Sequence, residues 1–315
     1  MTSHLRAAAL GVALSIAMVA CSSGGSSPAR PSAVPSGSAS AATPRASASV
    51  IPIPITSAFR VGNNRIVFTL TDPSGQKQVA APGRTLTIGY HGPNGETIAP
   101  APQVFIWAIE GVNGVYVGHA SFPTAGAWTA DFTTAAPGMS AETTTFGFDV
   151  RATLDVVSPG DAAPSVDTPT LADVGGDVSK ISTDTKPEKR FYETSIADAL
   201  AAKKPFVLVF ATPKFCQTAT CGPTLERLKP AAAAHPEMTF INVEPYQLKD
   251  DAGQLQPVLD AQGALVPVPA TTAFKLSTEP YVFVVGADGT VVASFELVFS
   301  PDEIEAAIRQ AEGTS

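Results

Sequence analysis

Cysteine is scarce in this chain, with 3 in 315 residues. That count excludes a disulfide-dense scaffold and any cluster held by four thiolates. Histidine and methionine are equally thin, at 4 each, which leaves little material for a heme or a soft-metal site. Charge is sparse as well. Only 15% of residues are Asp, Glu, Lys or Arg, against ~25% in an ordinary soluble domain. The 28 acids outnumber the 20 Lys and Arg, leaving a net charge of −8. Without a basic excess nothing neutralises phosphates, so no nucleic acid is expected as a partner. A long apolar run is missing too. The one extended stretch, residues 7–20, falls short of the ~20 residues that cross a hydrocarbon core comfortably.

His4 and Arg6 precede that run and small residues close it. A basic start, an apolar middle and a small-residue break read as a secretory signal, removed from the mature protein. The run ends in Met18-Val19-Ala20-Cys21, followed by Ser22-Ser23-Gly24-Gly25. This resembles the lipobox of bacterial lipoproteins, with Met18 where the family usually has Leu or Val. The resemblance implies a signal peptide over residues 1–20 and acyl chains, palmitate among them, on Cys21. It implies a protein of the bacterial cell envelope, lipid-anchored to the outer face of the cytoplasmic membrane without spanning it. The alternative is an ordinary signal peptide with an incidental Cys21. Residues 21–50 are nearly all Ser, Ala, Pro, Gly and Thr, too polar to order themselves. They read as a disordered tether reaching ~30 Å as a coil and ~90 Å as polyproline.

Residues 51–151 alternate short Val/Ile/Phe/Thr-rich runs with Gly and Pro. Strands are predicted at 65–71, 84–90, 104–109, 115–122, 128–132 and 143–150, with Val112-Asn113-Gly114 as a hairpin turn. With no helical period among them, an antiparallel sandwich follows. The segment Phe122-Pro123-Thr124-Ala125-Gly126-Ala127-Trp128 resembles one found in bacterial immunoglobulin-like periplasmic domains. His91 and His119 read as surface or capping residues, having no Cys or Met cluster beside them. Residues 152–190 are Pro- and Gly-punctuated and read as an inter-domain connection, packed in part through Leu171, Val174 and Ile181.

The texture changes over 191–315. Ser195 caps a predicted helix at 196–202. Residues 206–211 form a continuous apolar run, as in a central strand covered on both faces. A helix at 222–235 has Pro223 in its first turn, and 238–243 is another strand. The polar stretch 246–272, with Asp250-Asp251, reads as a loop. Glu279 reads as an exposed loop acid. A hairpin follows, 281–285 and 290–295, around Gly286-Ala287-Asp288-Gly289. Ser300-Pro301-Asp302-Glu303 is a capping box opening a last helix, with Ile304, Ala307 and Ile308 as its apolar stripe.

This order of elements resembles the thioredoxin fold. The match rests on Cys216 and Cys221 between a core strand and a helix, on Cys221-Gly222-Pro223, on Pro230 within that helix, and on Glu279-Pro280 where the family has its cis-proline. The resemblance implies an α/β thioredoxin-like domain over 191–315, following the immunoglobulin-like β-sandwich. It implies thiol–disulfide exchange with extracytoplasmic protein disulfides, with Cys216, Cys221 and Pro280 as catalytic residues. A helix N-terminus favours the thiolate, the species that attacks a disulfide. A cis Pro280 would expose backbone groups to an extended substrate chain.

The departures are specific. Four residues separate the cysteines instead of two, Thr224 stands where the family has its second cysteine, and residues 206–211 lack the family's buried acid. Distance from the strand makes Cys216 the attacker and Cys221 the resolver, while the following Gly-Pro points to Cys221. Two alternatives stay open. One is a non-catalytic envelope scaffold with a structural disulfide, whose small loop contributes about 2 kcal/mol. The other is Cu(I) carriage, as in copper-delivery proteins of this fold with C-x3-C and a distant His. Here His235 is the only histidine of the domain, so a third ligand is missing and neither cofactor nor metal is expected.

Overall fold

Period-two alternation builds the first half of the chain. In the computed structural model, which describes residues 48–313, nine strands form there: β1 (Ile51–Pro54), β2 (Phe59–Arg60), β3 (Gly62–Thr71), β4 (Thr85–His91), β5 (Thr97–Pro102), β6 (Val104–Ile109), β7 (Asn113–Phe122), β8 (Gly126–Ala135) and β9 (Glu142–Arg151). β8 shows the cause. Trp128, Ala130, Phe132 and Thr134 are buried and the residues between them are not, as a pleated strand with one face on a core requires. Two sheets result, ordered β1-β3-β7-β6 and β2-β9-β8-β4-β5. Phe68, Tyr116 and Phe122 of the first share a core with Tyr90, Trp128 and Phe132 of the second. Phe122 meets both Tyr90 and Trp128 edge-on. The arrangement is a β-sandwich of immunoglobulin-like type, antiparallel except where β2 runs parallel to β9.

Three strands escape the sequence pattern. β1 and β5 carry Pro52, Pro54, Pro100 and Pro102, and both lie at sheet edges, where a missing N–H leaves no ladder bond unmade. β2 has only two residues. The turn between β6 and β7 falls at 110–112, ahead of the hairpin residues the sequence suggests. Ordered chain also begins before residue 51: Val50 is 2% exposed in the sandwich core, and the Ser49 hydroxyl bonds Glu142 at 2.8 Å. The tether therefore ends earlier than its composition suggests. Cys21, the signal segment and tether residues 21–47 lie outside the described residues.

An all-apolar strand organises the second half. In β10 (Phe206–Phe210) every residue is buried. Val207 and Val209 face a cluster containing Leu225, Leu228, Ile304 and Ile308. Phe206, Leu208 and Phe210 face another containing Ile196, Ala199, Ala270 and Phe274. Thus α2 (Cys221–Ala234) and α4 (Pro301–Ala311) cover one face, and α1 (Ile196–Ala202) and α3 (Pro269–Ala273) the other. The sheet runs β11 (Thr239–Val243), β10, β14 (Tyr281–Val285), β15 (Val291–Glu296), with β11 parallel to β10 and the other pairs antiparallel. Ser195 caps α1, and Ser300 with Glu303 forms the full capping box on α4. Gly289, at φ +81°, supplies the positive-φ residue of the β14–β15 turn.

The stretch after β11 is not a plain loop. β12 (Leu248–Asp251) and β13 (Gln254–Pro257) pair as a hairpin through Ala252-Gly253, both at positive φ. Asp250 and Asp251 therefore stand on a strand whose polar composition hides it. The 152–190 segment lies against the β11-β10-β14-β15 sheet rather than between modules alone. Ala163 N–H donates to Gly289 O at 2.9 Å and Val291 N–H to Asp161 O at 2.9 Å. Leu171 and Ile181 pack on the core beside buried Val178, while Val174 is only half-buried.

The two halves meet through charge and apolar contact. Arg65 of β3 donates to both carboxylate oxygens of Glu303 on α4, at 2.6 and 3.0 Å. Arg227 of α2 donates to the carbonyls of Trp107 and Phe299. Val298 packs with Val67, Val115 and Val117. From β11, Asn242 donates to the Tyr192 hydroxyl at 2.8 Å. Glu244, after β11, is 8% exposed and accepts the Thr183 N–H at 2.6 Å. Its Oε2 and the Asn242 Oδ1 have no partner among the described residues. Burial pushes the Glu244 carboxyl up to about 7, outweighing the nearby Thr212 and Thr183.

An acid with a raised folded pKa keeps a proton that the unfolded chain has released, so stability falls as pH rises from about 4.5 to about 7. Glu244→Gln should be more stable than the parent above pH 7, by about 3 kcal/mol, and the difference should close toward pH 4.5 in thermal melts. Burial raises Glu303, but Arg65 and the Ser300 cap outweigh it, so its net shift is downward. Such an acid stabilises above its unfolded pKa and stops doing so as pH falls through the folded value. A double-mutant cycle of Arg65→Ala and Glu303→Gln should give a coupling of about 1–3 kcal/mol at pH 7, lost below the carboxylate range.

Candidate functional site

The apolar strand β10 delivers its chain end to a ten-residue connection, 211–220, that leads into α2. After buried Ala211 and Thr212, the chain turns through Pro213, Lys214 and Phe215 into Cys216-Gln217-Thr218-Ala219-Thr220-Cys221, and Cys221 opens α2. Cys216 and Cys221 form a disulfide with Cα atoms 6.0 Å apart. The two sulfurs differ in access: Cys216 is half-buried and Cys221 is 0% exposed. The Cys221 N–H, which has no intrahelical acceptor at the helix start, donates to Cys216 Sγ at 3.2 Å. Ala219 holds φ +60°, a left-handed conformation that costs about 1–2 kcal/mol for a residue with a Cβ.

A second loop closes on this one. The Glu279–Pro280 peptide is cis, and it precedes β14 directly. Glu279 is 2% exposed, which corrects its reading as an exposed acid. Its carboxylate accepts the Gln217 N–H at 2.8 Å through Oε1 and the Tyr246 hydroxyl at 2.5 Å through Oε2. Gln217 Nε2 in turn donates to the Tyr246 oxygen at 2.9 Å, and the Thr218 hydroxyl donates to the Glu279 carbonyl at 2.8 Å. Burial, together with the Glu279 carboxylate beside it, drives the Tyr246 hydroxyl well above its ordinary pKa. A carboxylate oxygen of Glu279 and both sulfurs lie within 4.8 Å of one another.

The sequence thus brings Cys216, Cys221 and Pro280 to one place, and the structure adds three residues that sequence reasoning missed. Gln217 and Tyr246 carried no signal in a single sequence. Glu279 had one, its position directly before the proline that the fold buries. The exposed backbone edge expected at Pro280 is absent. Pro280 is buried, its carbonyl accepts the Leu297 N–H at 2.9 Å, and the Glu279 carbonyl is taken by Thr218. Strand β10 has no acid, as read from the sequence, but Glu279 places a buried carboxylate beside the sulfurs from another element.

The other candidates lie elsewhere. His91 pairs with Asp131 at 3.0 Å and His235 with Glu305 at 2.9 Å, and His119 stands opposite Arg65 in the β3–β7 register. None of them belongs to a group of three metal-capable side chains among the described residues. A cavity of about 320 Å³ is lined by Tyr246, Glu244, Lys180, Leu248 and Val268, without either cysteine. Among the described residues no helix is long and apolar enough to cross a membrane.

No family model and no curated protein matches this chain. Among solved structures, it is similar to a DUF4426 family protein from Pseudomonas aeruginosa PAO1, at 17% identity over 30% of this chain and 77% of that one, with a TM-score of 0.23. It is also similar to Salmonella alpha-2-macroglobulin reacted with methylamine, at 8% identity over 79% of this chain and 15% of that one, again with a TM-score of 0.23. Likeness of that extent assigns neither fold nor function.

Proposed function

We propose that this chain is an envelope lipoprotein, anchored by acyl chains on Cys21, whose thioredoxin-like second half exchanges disulfides with extracytoplasmic proteins through Cys216 and Cys221. The observation that carries the reading is the asymmetric disulfide at the start of α2: one sulfur half-buried, the other sealed, and a helix N–H aimed at the accessible one. The layering of helices on both faces of a mixed sheet supports it. The β-sandwich acts as a spacer or docking module.

The chemistry is balanced within the two partners. A thiolate of a partner dithiol attacks Cys216 Sγ, the S–S bond to Cys221 breaks, and Cys221 leaves as a thiolate that the helix N-terminus favours. The partner's second thiolate then attacks the partner sulfur of the mixed disulfide, expelling Cys216. Two electrons pass from the partner, which ends oxidised, to this pair, which ends reduced. The reverse sequence, with Cys216 attacking a partner disulfide and Cys221 resolving, uses the same contacts. Glu279 acts as a positioning residue, tying the cysteine loop to the cis-proline loop.

One observation favours a second reading, a scaffold with a structural bridge. The backbone groups at Glu279 and Pro280 are already engaged, so no extended chain can pair there without displacing them. Cu(I) carriage on the two thiolates is a third. Trapping separates them. Reduced Cys221→Ser should accumulate mixed disulfides with envelope proteins or a model disulfide through Cys216, and Cys216→Ser should not. Absence of adducts from Cys221→Ser, with a fully functional double Cys→Ser variant, would leave the scaffold.

A further inference from the structure

We propose that reduction of the Cys216–Cys221 disulfide creates a zinc site, held by the two cysteine sulfurs and the Glu279 carboxylate. Among the described residues, these three form the group whose ligating atoms lie within 4.8 Å of one another. Zn–S bonds of about 2.3 Å and a Zn–O bond of about 2.0 Å put tetrahedral ligands roughly 3.5–3.8 Å apart. The carboxylate oxygen therefore needs to close by an ångström or so, while the sulfurs separate once their bond is broken. Reduction gives two thiols: an external dithiol supplies two electrons and two protons and ends as its own disulfide, or a phosphine supplies the electrons and ends as its oxide while water supplies the protons and the oxygen. Zn2+ then displaces both protons to solvent and binds two thiolates and one carboxylate.

The donor set selects the ion. Two sulfurs and one oxygen suit borderline Zn2+, whereas Mg2+ and Ca2+ find too few oxygens and Cu(I) gains nothing from the carboxylate. The oxygen ligand is pre-oriented, with the Gln217 N–H on Oε1 and the Tyr246 hydroxyl on Oε2. Each oxygen keeps a further lone pair for a metal, and such supporting hydrogen bonds accompany ligating carboxylates generally. The Cys221 N–H on Cys216 Sγ offsets thiolate charge from the other side. Half-buried Cys216 leaves one side open to a water as fourth ligand. Without an ion, the ionised reduced site would gather three negative charges at a place where Cys221 and Glu279 are sealed from water, and a dication cancels two of them. The site exists only in the reduced protein, so the disulfide is its gate.

The test is a Zn2+ titration of the full chain, reduced with a phosphine that is then removed under anaerobic conditions, against a chromogenic chelator. Stoichiometric binding of one Zn2+ by the reduced protein and none by the oxidised protein is the expected result. Glu279→Gln should weaken binding about tenfold or more, and Tyr246→Phe, which keeps the ligand but removes its support, by ~10-fold at most. Co2+ should give thiolate-to-metal charge-transfer absorption in the reduced parent alone, a readout that needs no variant. Reduced protein binding no more Zn2+ than oxidised protein, or Glu279→Gln binding as tightly as the parent with the Co2+ spectrum unchanged, would overturn the site. A protein that binds Zn2+ but captures no partner disulfide would remove the exchange reading and leave the metal site standing.

Discussion

A carboxylate sealed from water has to be satisfied by its surroundings, and Glu279 meets that requirement with groups from two other elements. It takes the N–H of Gln217, next to the accessible cysteine, and the hydroxyl of Tyr246, which follows β11. Three segments far apart in sequence are thereby fixed around two sulfurs. Removing the acid would free the Gln217 N–H, the Tyr246 hydroxyl and the loop between the cysteines together. This contact and the Thr218 hydroxyl on the Glu279 carbonyl hold the disulfide loop against the cis-proline loop.

What carries the site is an apolar strand, and that part was plain in the sequence. Phe206-Val207-Leu208-Val209-Phe210 has no polar face, so it must be covered twice, and the helices needed to cover it follow from capping residues at Ser195 and Ser300. The β14–β15 hairpin was equally legible, because Asp288-Gly289 between two valine-rich runs has few other solutions. Less legible were elements whose local signal contradicts their place. Pro100 and Pro102 argue against a strand until β5 is known to be an edge, and Lys249 to Asp251 read as loop because both faces of that hairpin meet solvent. Glu279 was misread for a related reason. A lone acid in a loop is exposed by default, and only the three-dimensional closeness of Gln217 and Tyr246 makes burial tolerable.

The halves are coupled at the level of individual charges. Arg65 leaves the sandwich to bind the acid that caps α4, and Arg227 leaves the cysteine-bearing helix to bind a sandwich carbonyl. The helix that begins at Cys221 is therefore braced from both sides, by the sheet beneath it and by β6 across the junction. Bracing of this kind holds the α2 N-terminus, and the N–H directed at Cys216, in a fixed position relative to the sandwich. A spacer rigidly joined to the thiol-bearing half would present the disulfide at a set orientation.

Disulfide exchange and a site opened by reduction both require the Cys216–Cys221 bond to be labile rather than a staple. Its reduction potential, measured on the full chain against glutathione and dithiothreitol buffers, tests this most directly. A value above roughly −300 mV, within reach of cellular thiol couples, is the predicted result. A value well below that would mark a bridge that resists reduction, and it would contradict both disulfide exchange and a site opened by reduction.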